Sequence, residues 1–306
     1  MRRLSSCFSF AVLLAGSTSA GAQQPQPQPE GGEIVVTGTR DTDRQVSDFV
    51  GALASASPRG QLARFEEAVC PLAFGVGPAQ KSAIEGRLRQ VAGAAGIPLG
   101  KPGCAPNALV MVTGAKRPFL EALLRQRPDY FASLSGPAVR RLVRAPGPTA
   151  AWQLEGQVNS RGVPIVADGG EVPINRTIDN PSRITAAARP VFGAAALVVE
   201  SGALDGLTTT QLADYAAMRL FARTEPKRLA GSTAPTILNV IDAPMGSEVP
   251  ITLTEWDLGF LRGLYAGPAN LYAGSQRSGI KKQIRRDLEK AETEDLPAQK
   301  GSREPR

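Results

Sequence analysis

The sequence predicts a mixed α/β fold in which helices pack against a sheet. Two segments carry that prediction. A strand–helix–strand unit runs from Cys70 to Thr113, and an apolar run from Ala194 to Glu200 feeds a capped helix at Thr208. The globular stretch holding them has about 230 residues, the size of one domain or two closely joined lobes.

Val46, Phe49, Val50 and Leu53 recur at helical spacing, and Pro58 ends that helix. After Leu62 and Phe65, the run Cys70–Val76, bounded by Gly77 and Pro78, is a buried strand. A helix over Ala79–Ala94 places Ile84, Leu88 and Val91 on one face, and Gly96, Pro98, Gly100 and Pro102 break it before a second strand at Ala108–Thr113. That crossover is long enough for the strands to lie parallel. Pro118 opens a helix carrying Phe119, Leu120, Leu123 and Leu124, which Pro128 closes. Val139, Leu142 and Val143 mark a shorter helix. From Trp152 to Pro190, extended pieces such as Trp152–Val158 and Val163–Val166 lie among glycines and prolines, an antiparallel excursion with loops. Ala194–Glu200 then returns as a strand.

Thr208 and Gln211 form a capping box for a helix that buries Leu212, Tyr215, Ala216 and Leu220. Ile237–Ile241 is a short apolar segment. Thr252 and Glu255 repeat the capping-box spacing ahead of a helix carrying Trp256, Phe260, Leu261 and Leu264. Ile280, Ile284 and Leu288 draw a narrow stripe along a charged C-terminal helix, and the composition past Thr293 is that of a disordered tail.

The first residues read as an export signal: Arg2 and Arg3 as a charged start, Phe8 to Ala15 as an apolar stretch, and Ala20-Gly21-Ala22 as a cleavage site. Cys7 precedes the apolar stretch, whereas a lipoprotein carries its acylated cysteine at the cleavage point. No later run approaches the roughly 20 apolar residues of a membrane helix. The expected organisation is a signal over 1–22, a Gln/Pro spacer over 23–45, one globular α/β domain over 46–276, and a charged helix with its tail over 277–306. Such a chain is expected in the periplasm or outside the cell, without an integral membrane segment once mature.

The formal charge of +7 falls to +5 when Arg2 and Arg3 leave with the signal. A nucleic-acid binder concentrates such charge and interleaves aromatics for stacking. Here aromatics are 5% of residues, and the densest basic cluster, Arg140, Arg141 and Arg144, has the pattern of a solvated helix face. No nucleic-acid partner is expected. The chain has no histidine, which removes the commonest general base and zinc ligand. Cys70 and Cys104 remain after cleavage, and an oxidising compartment makes a disulfide their natural state. The competing role, a nucleophilic thiol, lacks a histidine to deprotonate it.

Glu33-Ile34-Val35-Val36-Thr37-Gly38-Thr39-Arg40 resembles the TonB box at the mature N-terminus of TonB-dependent outer-membrane receptors. Ile34, Val35, Val36 and Thr37 are β-formers that can add as a strand to the sheet edge of a TonB-like periplasmic partner. The other reading of the segment is a first strand of this protein's own sheet. The resemblance covers the box alone and implies nothing beyond partner binding.

The order of elements from Leu62 to Tyr265 is similar to the zincin-like secreted domains of unknown function in Gram-negative bacteria, down to a closing helix of the type Leu253-Thr254-Glu255-Trp256-Asp257-Leu258. In active zincins the buried helix presents two histidines four apart, with a glutamate beside the first, to Zn²⁺. Under that resemblance the ligand positions are Gln211 and Tyr215 and the base position is Leu212. None of these side chains serves the role, so the resemblance implies a zincin-like topology with a degenerate metal site, and no metal or other cofactor.

Ser278 and Lys281 match the serine–lysine spacing of penicillin-recognising enzymes, but no Lys-Thr-Gly follows them. Glu200 with Asp205, and Glu255 with Asp257, are carboxylate pairs of the kind glycosidases use. Two tryptophans and four tyrosines leave few platforms for a sugar, and Glu255 and Asp257 suit the start of a helix. No catalytic residue is assigned. The expected function is that of an exported, non-enzymatic binding or envelope-associated protein. The alternatives are a histidine-free hydrolase using a serine or carboxylate pair, and a catalytically dead peptidase relative acting as inhibitor or chaperone.

Overall fold

The structure, a computed structural model, describes residues 38–54, 60–166, 175, 181–244 and 246–295. The elements in chain order are α1 (Gly38–Leu53), β1 (Arg64–Phe65), β2 (Pro71–Phe74), α2 (Pro78–Ala94), β3 (Ala108–Thr113), α3 (Lys116–Gln126), α4 (Gly136–Arg144), β4 (Thr149–Asn159), β5 (Ala188–Glu200), α5 (Thr209–Phe221), α6 (Glu255–Ala266) and α7 (Ala273–Asp295). Together they form a mixed α/β fold.

The sheet is built around β5. β3 pairs with it in parallel, Ala108 opposite Ala195 through Thr113 opposite Glu200, and β1 pairs in parallel further back, at Val191 and Phe192. β2 adds to β3 in parallel, as the crossover through α2 requires. β4 runs antiparallel along the whole of β5, from Thr149 opposite Val199 to Asn159 opposite Ala188. A strand has only two edges, so β1 and β3 share one side of β5 and β4 fills the other.

Alternation along the central strands sends side chains into two cores. Val110, Leu197 and Val199 join α1, α2, α5, α6 and α7 in the larger core, while Leu109, Met111, Ala196 and Val198 join α3, α4 and Trp152 in the smaller. Both sheet faces are thus covered, as a parallel sheet demands. Every residue of α5 from Gln211 to Phe221 is buried, which makes it the central helix of the larger core.

The disulfide joins Cys70, just before β2, to Cys104, just before β3, with Cα atoms 6.0 Å apart. Closing a loop of that size stabilises the fold by roughly 3 to 4 kcal/mol in the chain-entropy picture.

Four expectations change in detail. The expected spacer boundary at residue 45 falls inside α1, which begins at Gly38. The expected boundary at 276 falls inside α7, whose Ile280 and Ile284 are fully buried against α6, and the helix runs past Thr293 to Asp295. The last strand starts at Ala188 rather than Ala194, because β4 supplies partners for its early residues. Finally, α6 is capped by Thr254 and Asp257, not by Thr252 and Glu255. The Thr254 hydroxyl accepts from the Asp257 amide at 3.2 Å, and the Thr254 amide donates to the Asp257 carboxylate at 3.2 Å.

Candidate functional site: the groove beside the antiparallel edge strand

As the outermost strand on its side of β5, β4 presents a second row of backbone groups. Its far end is covered where the chain folds back, Ile165 donating to the Gln157 carbonyl at 2.8 Å. In the middle, Ser133 Oγ accepts from the Glu155 amide at 3.0 Å and donates to the Gln153 carbonyl at 3.5 Å. At the start, Lys116 Nζ donates to the Thr149 carbonyl at 3.3 Å. Residues two apart on a strand present their backbone groups to the same side, so Ala151 faces outward with Thr149 and Gln153. Its edge groups meet no partner outside the sheet among the described residues.

A groove of about 230 Å³ opens at this uncovered stretch, lined by Leu142, Thr149, Ala151, Arg219, Lys227 and Asp242 among others. Lys116 shapes its rim. The lysine is only 3% exposed, and its ammonium also donates to the Ala145 carbonyl at 2.7 Å and to that of Gly147, fastening the turn that leads into β4. Burial lowers the Lys116 pKa from its ordinary value, with Glu200 opposing the shift and Lys227 adding to it.

The inner wall comes from α5. Gln153 Nε2 donates to the Arg219 carbonyl at 2.8 Å and reaches the Ala222 carbonyl at 3.4 Å, so β4 satisfies the end of a helix that has no glycine cap. One turn apart on that helix, Arg219 Nη1 donates to Tyr215 Oη at 2.8 Å, with the guanidinium 5.7 Å from the tyrosine ring. Tyr215 Oη lies 3.2 Å from Thr149 Oγ1, which ties the pair to β4. Arg219 is 9% exposed, and its buried Nε has no hydrogen-bond partner. The ion pairs of the described residues engage other arginines, among them Arg87, Arg189, Arg223 and Arg262, and none engages Arg219.

Of the degenerate motif positions, Gln211 caps α5 with Thr208, as its spacing predicts, and donates to the Pro250 carbonyl at 2.9 Å. Leu212 lies in the core, and Tyr215 faces Thr149 and Arg219. Each of the three thus has its own surroundings. Among the described residues there is no cluster of three His, Cys, Asp or Glu able to hold a metal ion. Ile34, Val35, Val36 and Thr37 lie outside the described residues.

The hydrolase candidates are engaged apart from one another. Glu200 accepts from the Lys116 amide at 2.8 Å, at the start of α3. Asp214 is fully buried and pairs with Arg87 at 2.7 Å, accepting also from Thr252 Oγ1 at 2.7 Å and the Leu253 amide at 2.8 Å. Asp205 is exposed in a turn, and Ser278 donates to the Gly274 carbonyl at 3.1 Å within α7. Glu255 is exposed, whereas Asp257 is fully buried beneath Thr236 and Thr254. Arg140, Arg141 and Arg144 lie exposed on α4, and no helix among the described residues is long and apolar enough to cross a membrane.

Sequence reading missed Arg219, Thr149 and Lys116. The available signal was Arg219 as the lone cation of a mostly apolar helix, four residues beyond Tyr215. A second cavity, near the end of α2, is lined by Arg262 and Tyr265, but Arg262 is already hydrogen-bonded to the Ala94 carbonyl at 3.1 Å and to Asp287 at 3.3 Å. No protein-family model, curated protein or solved structure matches the chain. Its own geometry defines it as a disulfide-linked α/β protein whose antiparallel edge strand flanks a groove with a buried cation.

Proposed function

We propose that this is an exported, non-enzymatic binding protein that seats the end of an extended polypeptide segment in the groove, against the open position of β4 at Ala151. The observation that supports the reading is the outward backbone at Ala151, which meets no partner among the described residues and lies beside the groove. A chain end laid there gains main-chain hydrogen bonds from Ala151 and side-chain contacts from the groove wall, strand addition confined to one position of the edge. The zincin-like topology belongs to the same proposal and rests on the order of elements in the sequence. Under it, α5 offers Gln211, Leu212 and Tyr215 where metal ligands and base would stand, which supports binding rather than cleavage.

The test is Ala151→Pro, which deletes the outward donor at a position where an edge strand tolerates proline. Binding of a fluorescent pool of Val/Thr-rich hexapeptides should be lost in this variant while its circular dichroism matches the parent. Undiminished binding would remove the edge from the account.

A second contact is proposed from the sequence. Ile34, Val35, Val36 and Thr37, ahead of α1, engage a TonB-like periplasmic protein by adding a strand. Deleting residues 30–37 should abolish capture of a TonB C-terminal domain, and unchanged capture would exclude the arm.

A further inference from the structure

We infer that Arg219 receives the C-terminal carboxylate of the segment bound on β4, an assignment that rests on the edge-binding reading above and names its ligand. Arg219 lines the groove at 9% exposure, its Nε is buried without a partner, and no carboxylate pairs with it among the described residues. A desolvated guanidinium left in that state is costly, and an incoming anion that accepts its hydrogen bonds relieves the cost. The fork is also held ready. Tyr215 accepts one nitrogen at 2.8 Å and is itself braced by Thr149, so little side-chain freedom is lost on binding.

The charge and size of the groove narrow the anion. Arg219 and Lys227 share the lining with Glu225 and Asp242, so the groove has no net charge to draw a polyanion, which would also meet two carboxylates, whereas a single carboxylate needs only the Arg219 guanidinium. At about 230 Å³ the groove is also smaller than the roughly 300 to 1,000 Å³ of ordinary small-molecule pockets. It has room for a chain end whose backbone reaches the open groups of Ala151, with the rest of the chain leading away from β4, whose edge is covered on either side.

The experiment compares one pool of N-terminally labelled Val/Thr-rich hexapeptides prepared as free acids and as C-terminal amides. Fluorescence anisotropy should show the acids binding the parent protein about tenfold or more tightly, as expected when a charge-assisted hydrogen bond is lost. Arg219→Gln should erase that preference, and Arg219→Lys, which keeps the charge without the fork, should restore part of it. A purely structural Arg219 predicts a less stable Gln variant, whereas a receptor desolvated for its ligand predicts one at least as stable as the parent in urea. Equal binding of acids and amides would overturn the carboxylate assignment and leave the edge reading standing. Failure of both forms to bind would overturn both.

Discussion

Gly263 and Ile280 meet so closely that a Cβ on the glycine would lie 2.6 Å from the Ile280 Cα. One turn earlier on the same helix, a Cβ at Gly259 would lie 3.0 Å from the Ile284 Cα. Two glycines four apart thus cut a seat on α6 into which α7 drops Ile280 and Ile284, both fully buried. The charged C-terminal helix belongs to the core because of this seat.

Gly263→Ala should therefore cost stability, by about 1 to 3 kcal/mol, since the backbone of α7 must retreat. The control is Gly86→Ala in α2, where an added Cβ meets nothing within 4 Å. Replacing a helical glycine there should stabilise by roughly 0.5 to 1 kcal/mol. Urea unfolding of the two variants should move in opposite directions, and a shared sign would contradict the tight seat.

The cap of α6 is testable in the same way. Asp257 accepts from Thr236 Oγ1 at 2.6 Å, the Ile237 amide at 2.8 Å, and the amide and hydroxyl of Thr254. Burial pushes its carboxyl up from the ordinary value, and these donors oppose the shift. Asp257→Ala strands the buried donors and should cost about 3 kcal/mol or more, whereas exposed Glu255→Ala should stay within about 0.5 kcal/mol. Comparable losses in thermal unfolding would return the cap to Thr252 and Glu255.

Asp214 separates a structural carboxylate from a catalytic one. Asp214→Ala leaves Arg87 and Thr252 facing an emptied site and should cost about 3 kcal/mol, the lower end for a broken buried pair because Arg87 is partly exposed. Arg87→Met with Asp214→Leu should recover part of that loss. Failure of the double variant to recover any stability would show that the two residues are not coupled.

Lys116 sets a pH dependence. Burial depresses its folded-state pKa below the ordinary 10.5. Between the depressed value and 10.5 the unfolded chain binds more protons at this position, so stability contributed here rises with pH across that window. Lys116→Met lacks the contribution. Parent-minus-variant unfolding free energies should therefore increase on going from neutral to alkaline solution, and a decrease would contradict the desolvation of the ammonium.

The disulfide is checked by replacing both cysteines with alanine. The loss should be about 3 kcal/mol, read in denaturant under non-reducing conditions. A loss below about 1 kcal/mol would show that the unreduced chain gains little from joining the starts of β2 and β3.

What could be read from the chain follows the range of the forces involved. β3, α2 and the Thr208–Gln211 cap are local matters of apolar period, proline and glycine punctuation and side-chain reach, and they stand close to where the sequence puts them. The Cys70–Cys104 pairing was legible because, with Cys7 assigned to the expected export signal, the other two of the three cysteines have one partner each. The choice between Thr252 and Thr254 was not, since both stand three residues before a carboxylate. Asp214 draws Thr252 away, and Thr236 and Ile237 secure Asp257. Arg219 was equally opaque. An arginine on a helix becomes a candidate receptor only when no carboxylate among the described residues pairs with it beside an open stretch of edge, and that setting comes from β4, where Thr149 braces Tyr215 and Gln153 holds the Arg219 carbonyl. Local pattern determined which segments are helices and strands. Long-range contact alone decided which polar groups are satisfied within the fold, and that accounting is where the groove lies.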